Sequence, residues 1–338
     1  MANIQALAAR AAGQPLEPFS FDPGPLGDEQ VEIDVEYCGI CHSDLSMLNN
    51  EWHMTAYPFV PGHEAVGKVA AVGRDVKSIA LGQTVGLGWN AGSCLHCRPC
   101  LHGDHNLCRN LEQTIVGRHG AFATRVRCHW IWATPIPGGL DLAKTGPLLC
   151  GGITVFNPLL AAGVLPTHRV GVIGIGGLGH MALQFLNKWG CEVTAFTSSA
   201  GKADEARKMG AHHVIDTHSK EQLSRAAGTL DFILSTVNAN LDWDAYLSAL
   251  GPQGHLHVVG VAPEALPVHA FQLIAGQKSV GGTPSGAPAT VIEMLDFCVR
   301  HAIAPVTEEF PMSRATEALK HLEAGKARYR IVLKNDLR

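Results

Sequence analysis

The sequence predicts an α/β protein in which a β-rich first domain precedes a doubly wound parallel sheet. Three observations carry that expectation. A chain of 338 residues outgrows a single hydrophobic core, which stops enlarging near about 250–300 residues. Up to about residue 150 the apolar runs are short, rich in valine and punctuated by glycine, the texture of strands and turns. Beyond it strands and helices alternate, beginning with a strand, a glycine turn, a helix and a second strand within about thirty residues.

Taken in order, residues 30–37 set Val31, Ile33, Val35 and Tyr37 on one side and Glu32, Asp34 and Glu36 on the other, the period of a half-buried strand. That strand enters a turn, Cys38-Gly39-Ile40-Cys41-His42-Ser43-Asp44, which places a thiolate, an imidazole, a hydroxyl and a carboxylate at four consecutive positions. Residues 63–72 and 83–88 read as further strands. Next come Cys94, Cys97, Cys100 and Cys108 in the spacing C-x2-C-x2-C-x7-C. Four thiolates on one short lobe suit a closed tetrahedral structural zinc site with no free position for chemistry. Two disulfides belong rather to short secreted chains, and an iron–sulfur cluster would accept the same thiolates although nothing else in the chain calls for one.

A second donor set spans the chain. Cys41, His63 and Glu64 of Pro61-Gly62-His63-Glu64-Ala65, and Cys150 offer two thiolates, one imidazole and a fourth position open to carboxylate, water or substrate, the composition of a catalytic zinc site. Of the ten cysteines, Cys38, Cys128, Cys191 and Cys298 remain as free thiols, a usage that fits metal binding in a reducing compartment.

In the second half, residues 169–173 form a buried strand, Gly174-Ile175-Gly176-Gly177-Leu178-Gly179 the turn, 180–189 a helix with Met181, Leu183, Phe185 and Leu186 for its inner side, and 191–196 the second strand. The glycines let the backbone approach a pyrophosphate, and the helix N-terminus supplies unpaired N–H groups and a positive dipole end. Helical runs at 204–209, 221–227 and 245–250 alternate with strands at 213–215, 232–237 and 255–261. Helical runs at 291–299 and 315–323 and a strand at 328–333 then return to the first domain, so the expected division is 1–151, 152–287 and 288–338.

The second strand runs out at Phe196-Thr197-Ser198-Ser199-Ala200-Gly201-Lys202, without the Asp or Glu that would bind the ribose 2′-hydroxyl of NAD. The hydroxyls of Thr197, Ser198 and Ser199 and the cation of Lys202 would hydrogen-bond and neutralise a 2′-phosphate, so NADP(H) is the expected nucleotide.

Composition narrows the partners. Apolar residues make up 46% and charged residues 17%, ordinary for a globular chain, and a net charge of −4 without a basic arm argues against nucleic acid. The first ten residues lack the charged start and apolar run of a secretory signal, and the apolar stretch near residues 170–186 is broken by glycines, so no membrane span and a cytoplasmic location are expected.

With both cysteine sets and the glycine turn in hand, the chain resembles the zinc-dependent medium-chain alcohol dehydrogenases over nearly its full length. Within them it looks most like the cinnamyl-alcohol-dehydrogenase branch, especially the bacterial broad-specificity NADPH-dependent aldehyde reductases. The likeness lies in Cys38-Gly39-Ile40-Cys41-His42-Ser43-Asp44, Asn50-Glu51-Trp52, Gly62-His63-Glu64, Gly151-Gly152-Ile153-Thr154-Val155-Phe156 and Gly325-Lys326-Ala327-Arg328-Tyr329-Arg330. It implies a GroES-like catalytic domain holding both zinc ions, a Rossmann domain for NADP(H), and a homodimer.

The resemblance further implies that Cys41, His63 and Cys150 hold the catalytic zinc, with Glu64 a close or exchanging ligand, while Asp44 fixes the tautomer of His63 and Ser43 bonds the substrate oxygen. It places His42 and Arg330 near cofactor phosphates, Thr154 near the nicotinamide, and backbone around Thr236, Gly260 and Thr283 along the nicotinamide pocket. Trp52, Met54 and Trp89 match positions lining a substrate channel, which would admit aromatic and medium-length aliphatic aldehydes. The implied reaction is reduction of an aldehyde by NADPH to a primary alcohol. NAD(P)-linked oxidation of one particular alcohol or polyol would use the same site, and a non-catalytic zinc- and nucleotide-binding protein is the remoter alternative. Two positions depart from the family: Ser46 stands where a histidine commonly ends a proton path, and His53 where glycine often follows the tryptophan.

Overall fold

The computed structural model describes residues 3–262 and 264–337, and of Ala200 the backbone alone. The chain divides into two compact units, residues 1–153 with 285–338, and residues 154–284.

The first unit is built around a long strand, β1 (Gln30–Ile40), whose Val31, Ile33 and Val35 enter the core with Cys38 and Ile40. It pairs antiparallel with β2 (Ala65–Val72) along one edge and with Arg125–His129 and the C-terminal strand Arg330–Lys334 along the other. Strand alternation alone would turn Glu32 outward with Asp34 and Glu36. Instead Glu32 is 5% exposed, because Arg125 and Arg127 from the paired strand close over it at 2.8 and 2.7 Å. The strand also outruns its periodicity: residues 37–40 stay extended because residues 331–334 pair with them.

The turn expected at Cys41 is the start of a helix, α1 (His42–Leu48), which buries Leu45, Met47 and Leu48. Its first free amide, the Cys41 N–H, donates to the Asp44 carboxylate at 2.9 Å, so a side chain one turn in caps the helix. The strand expected at 63–72 begins only at Ala65, which leaves His63 and Glu64 in the connection ahead of it.

In the second unit β3 (Arg169–Ile173), α2 (Gly179–Trp189), β4 (Glu192–Thr197), β5 (His213–Asp216), β6 (Leu230–Ser235), β7 (Leu250–Val258) and β8 (Ser279–Gly282) build a wholly parallel sheet in the order β5-β4-β3-β6-β7-β8. Chain order reverses between β3 and β6, and α/β sheets bind ligands outside the carboxyl ends of their strands at such a point. The glycine turn lies there. Gly174 has φ +85°, and a Cβ on Gly179 would stand 1.9 Å from the Gly174 carbonyl oxygen, so α2 can approach β3 only with glycine at both positions. Sequence periodicity passed over β8 and the helix Ala270–Gly276. That helix is apolar in sequence, with Ala270, Phe271, Leu273 and Ile274, yet it buries none of its residues and leaves Phe271 and Ile274 exposed, and β8 ends in two glycines.

Candidate active site

The N-terminus of α1, the connection ahead of β2 and the residue opening the helix Gly151–Ala161 each deliver donors to one place. One ligand atom from each of Cys41, His63, Glu64 and Cys150 lies within 4.8 Å of the others. The Cys41 and Cys150 sulfurs are 3.9 Å apart, far beyond a disulfide but close to the roughly 3.8 Å edge of a tetrahedron with about 2.3 Å metal–sulfur bonds. His63 Nε2 and Glu64 Oε2 are buried without a protein hydrogen-bond partner. Orphaned acceptors beside two sulfurs fit a metal ion such as zinc.

Asp44 prepares the imidazole. Fully buried, it accepts from Gly62 N at 2.8 Å, Cys41 N at 2.9 Å and His63 Nδ1 at 3.0 Å. With Nδ1–H given to the carboxylate, Nε2 carries the lone pair that a metal needs. Burial by itself would lower the pKa of His63, but the Asp44 charge and hydrogen bond and the neighbouring Cys41 push it well above the ordinary value. The two thiols compete for protons: the hydrogen bond between them lowers Cys41 and raises Cys150. A cation bound between them would let both ionise.

Glu64 is fully buried and ion-paired with Arg330, whose guanidinium also donates to the Ile40 carbonyl at 3.0 Å. Burial raises the Glu64 pKa and the arginine opposes it. Gly39 clears the space: a Cβ there would sit 1.9 Å from Glu64 Oε2. The resemblance placed Arg330 by cofactor phosphates and did not foresee this pairing, for which a contact across 266 positions leaves no local signal.

Around the donors, Ser43 Oγ lies 3.7 Å from Cys41 Sγ, and the Trp89 ring meets His63 edge-on at 4.9 Å and Trp52 at 6.1 Å. Met54 is exposed, His42 is exposed at the start of α1, and Ser46 is buried.

In the lobe at 94–108, Cys94, Cys97, Cys100 and Cys108 also bring their sulfurs within 4.8 Å of one another, with separations of 3.5 Å for Cys94–Cys108 and 3.8 Å for Cys97–Cys108. Backbone N–H groups of Cys94 and Asn110 donate to Cys108 Sγ at 3.4 and 3.3 Å. All ten cysteines are free thiols, so the disulfide alternative for this lobe falls away.

In the second unit, Thr197 ends β4, and Ser198, Ser199 and Lys202 follow it at the carboxyl end of the sheet. Ser199 N donates to Thr197 Oγ1 at 3.2 Å and Lys202 Nζ to the Ile175 carbonyl of the glycine turn at 3.0 Å. Gly176 has open space where a Cβ would stand, room for a ligand against its backbone. Thr236 Oγ1 lies 2.9 Å from the Ile173 and Gly174 carbonyls, and Gly260 packs on Val237, whose carbonyl oxygen would be 2.0 Å from an added Cβ.

A doubly wound sheet with a phosphate-type glycine turn, in one chain with an open Cys/His/Cys donor set and a closed four-cysteine set, defines a zinc-binding dehydrogenase. Family models agree: "Alcohol dehydrogenase GroES-like domain" matches residues 27–138 and "Zinc-binding dehydrogenase" residues 177–300. The chain is 55% identical over 330 residues to aldehyde reductase AdhA of Synechocystis sp., covering 98% of each. A cinnamyl alcohol dehydrogenase from Sorghum bicolor superposes with a TM-score of 0.94 at 37% identity, covering 98% of this chain and 97% of that one. A crystal structure of CAD from Helicobacter pylori complexed with NADP(H) superposes with a TM-score of 0.91 at 31% identity, covering 98% of both. The chain belongs to the zinc-dependent medium-chain alcohol dehydrogenase family, in its cinnamyl-alcohol-dehydrogenase-like branch. Among the described residues no helix is long and apolar enough to cross a membrane.

Proposed function

We propose that this protein is a zinc- and NADPH-dependent aldehyde reductase with breadth for aromatic and medium-chain aliphatic aldehydes, forming the primary alcohol and NADP+. The observation that carries the reading is the convergence of Cys41, His63 and Cys150 on one point, with Ser43 beside them. Zinc held there supplies a Lewis acid, which stabilises the negative charge that grows on a carbonyl oxygen as hydride arrives. The chain's own residues do the rest. Asp44 keeps the Nε2 lone pair of His63 available, Ser43 passes a proton to the substrate oxygen, and Arg330 holds the Glu64 carboxylate, the fourth donor. Trp52 and Trp89 form an apolar wall that accepts rings and alkyl chains with little discrimination, since one methylene is worth about 1–3 kcal/mol. Met54 extends that wall. With Ser46 at the usual histidine position, Ser43 would exchange its proton through the ribose of a bound nucleotide and water, or through another group.

For the nucleotide, a dinucleotide lies with one half on each side of the point where strand order reverses. Ser198, Ser199 and Lys202 would receive the adenosine ribose phosphate, Thr236, Gly260 and Thr283 would line the pocket of the second half, and Thr154 would stand near the nicotinamide. His42 and Arg330 would serve the phosphates. Two relatives support the choice of substrate and nucleotide, one called an aldehyde reductase and one crystallised with NADP(H). The four-cysteine lobe holds a second, structural zinc. A cytoplasmic homodimer completes the proposal, to be checked by light scattering and cell fractionation.

The test follows nucleotide absorbance with a panel of aliphatic, aromatic and branched aldehydes. NADPH should outperform NADH at least about tenfold, the effect of one charge-assisted contact. Chelation should abolish turnover and zinc should restore it. Equal rates with NADH would remove the phosphate assignment, and turnover indifferent to chelation would remove the metal.

A further inference from the structure

β7 carries two histidines one strand period apart, His255 half-buried and His257 3% exposed. His255 Nδ1 lies 2.7 Å from Ser279 Oγ, His255 Nε2 lies 3.0 Å from His257 Nδ1, and His257 Nε2 lies 3.1 Å from Thr283 Oγ1. Every ring nitrogen of the pair is engaged. The four side chains therefore make one unbroken row along the two strands, from exposed Ser279 at the start of β8 to Thr283 just past its end. Phe232 of β6 stacks on both rings, at 5.6 and 5.9 Å. Gly281 leaves room for the row, since a Cβ there would come within 2.9 Å of His255 Cε1.

Burial, and for His257 the nearness of His255, lower both imidazoles, His257 to about 4. A neutral imidazole has one donor and one acceptor, so each link sets the direction of the next. When the Ser279 hydroxyl donates to His255 Nδ1, His255 Nε2–H donates to His257 Nδ1 and His257 Nε2–H to Thr283 Oγ1. The Thr283 hydroxyl hydrogen is then left for another acceptor. Buried imidazoles cost desolvation that aliphatic strand residues would avoid. A fully satisfied polar row that ends at the ligand-binding edge of the sheet is arranged for a ligand.

We propose that His255 and His257 are positioning residues that hold the Thr283 hydroxyl as an oriented donor to the second, carbonyl-bearing half of the dinucleotide. This rests on the dinucleotide reading above. The experiment is titration of NADPH into the zinc-loaded full chain, followed by fluorescence, with thermal unfolding of each variant measured alongside. His257→Leu should weaken NADPH binding about tenfold, with a smaller effect on kcat at saturating nucleotide, and His257→Gln, whose amide N–H can replace Nε2–H, should recover most of the loss. Ser279→Ala, exposed and remote from the ligand, should weaken binding about twofold without moving the unfolding temperature. A packing role would give neither rescue by glutamine nor an effect from Ser279. Histidine nitrogen NMR of the unaltered chain should show the neutral Nε2–H tautomer fixed on both rings, and either the Nδ1–H tautomer, which would make Thr283 the donor to His257, or rapid tautomer exchange would overturn the proposal. Equal NADPH binding by the unaltered chain and His257→Leu would sink the positioning role alone, whereas an unaltered chain that binds neither NADPH nor NADP+ would sink the dinucleotide reading and this role with it.

Discussion

The two donor sets of the first unit use the same element of chemistry, the cysteine sulfur, in opposite ways. The lobe at 94–108 gathers four sulfurs from one short segment and surrounds them with backbone N–H groups, and among its donors there is no carboxylate or imidazole. The set of Cys41, His63, Glu64 and Cys150 draws on three distant segments and is held by the core: Asp44, His63 and Glu64 are wholly buried, and an arginine from the C-terminal strand is locked to the glutamate. A local site with little core around it depends on its ion for shape, whereas a site assembled by a core keeps its shape and uses the ion for chemistry.

The largest expected effect comes from exchanging the two roles. If the 94–108 lobe holds the proposed structural zinc, Cys100→Ser should remove that ion and open the lobe to proteolysis, because binding free energy in such lobes is folding free energy. Cys150→Ala should leave that lobe protected while kcat/KM falls by about a thousandfold or more, the loss of several kcal/mol of charge stabilisation. Zinc analysis and limited proteolysis of the two variants side by side check the contrast, and a Cys150→Ala protein that unravels like Cys100→Ser would erase it.

A smaller effect should separate the sites through their charges. Arg330→Leu leaves Glu64 buried without its partner and should cost about 3–5 kcal/mol in denaturant unfolding. Adding Glu64→Leu should recover much of that stability, since an apolar pair of similar volume carries no desolvation penalty. A double variant no more stable than Arg330→Leu would show that the arginine acts through packing instead. The mildest change, Asp44→Asn, should weaken zinc at the open site by about 10–100-fold, with the four-cysteine ion untouched, as measured by competition with a chelator.

Much of this was legible in the chain because the information is local. The four-cysteine spacing, the Cys41-His42-Ser43-Asp44 run and the glycine turn each sit on contiguous residues whose chemistry restricts what they can do. Where partners come from afar, pattern reading failed in a regular way. Glu32 looked solvent-facing until Arg125 and Arg127 covered it, the end of β1 looked like a turn until residues 331–334 paired with it, and the apolar helix Ala270–Gly276 leaves Phe271 and Ile274 exposed instead of adding them to a core.

The sequence by itself determined the kinds of donor, their local spacing and the alternation that winds the parallel sheet, because side-chain chemistry and strand or helix period are properties of neighbouring residues. Only the tertiary structure decided that His63 presents Nε2 while Asp44 holds Nδ1, that Arg330 rather than solvent meets Glu64, and that His255 and His257 link into one row. Those outcomes depend on which distant strands share an edge, and burial makes the choice matter: once water is excluded, a charge or ring nitrogen left without a partner costs free energy, so where partners stand decides what each group can do.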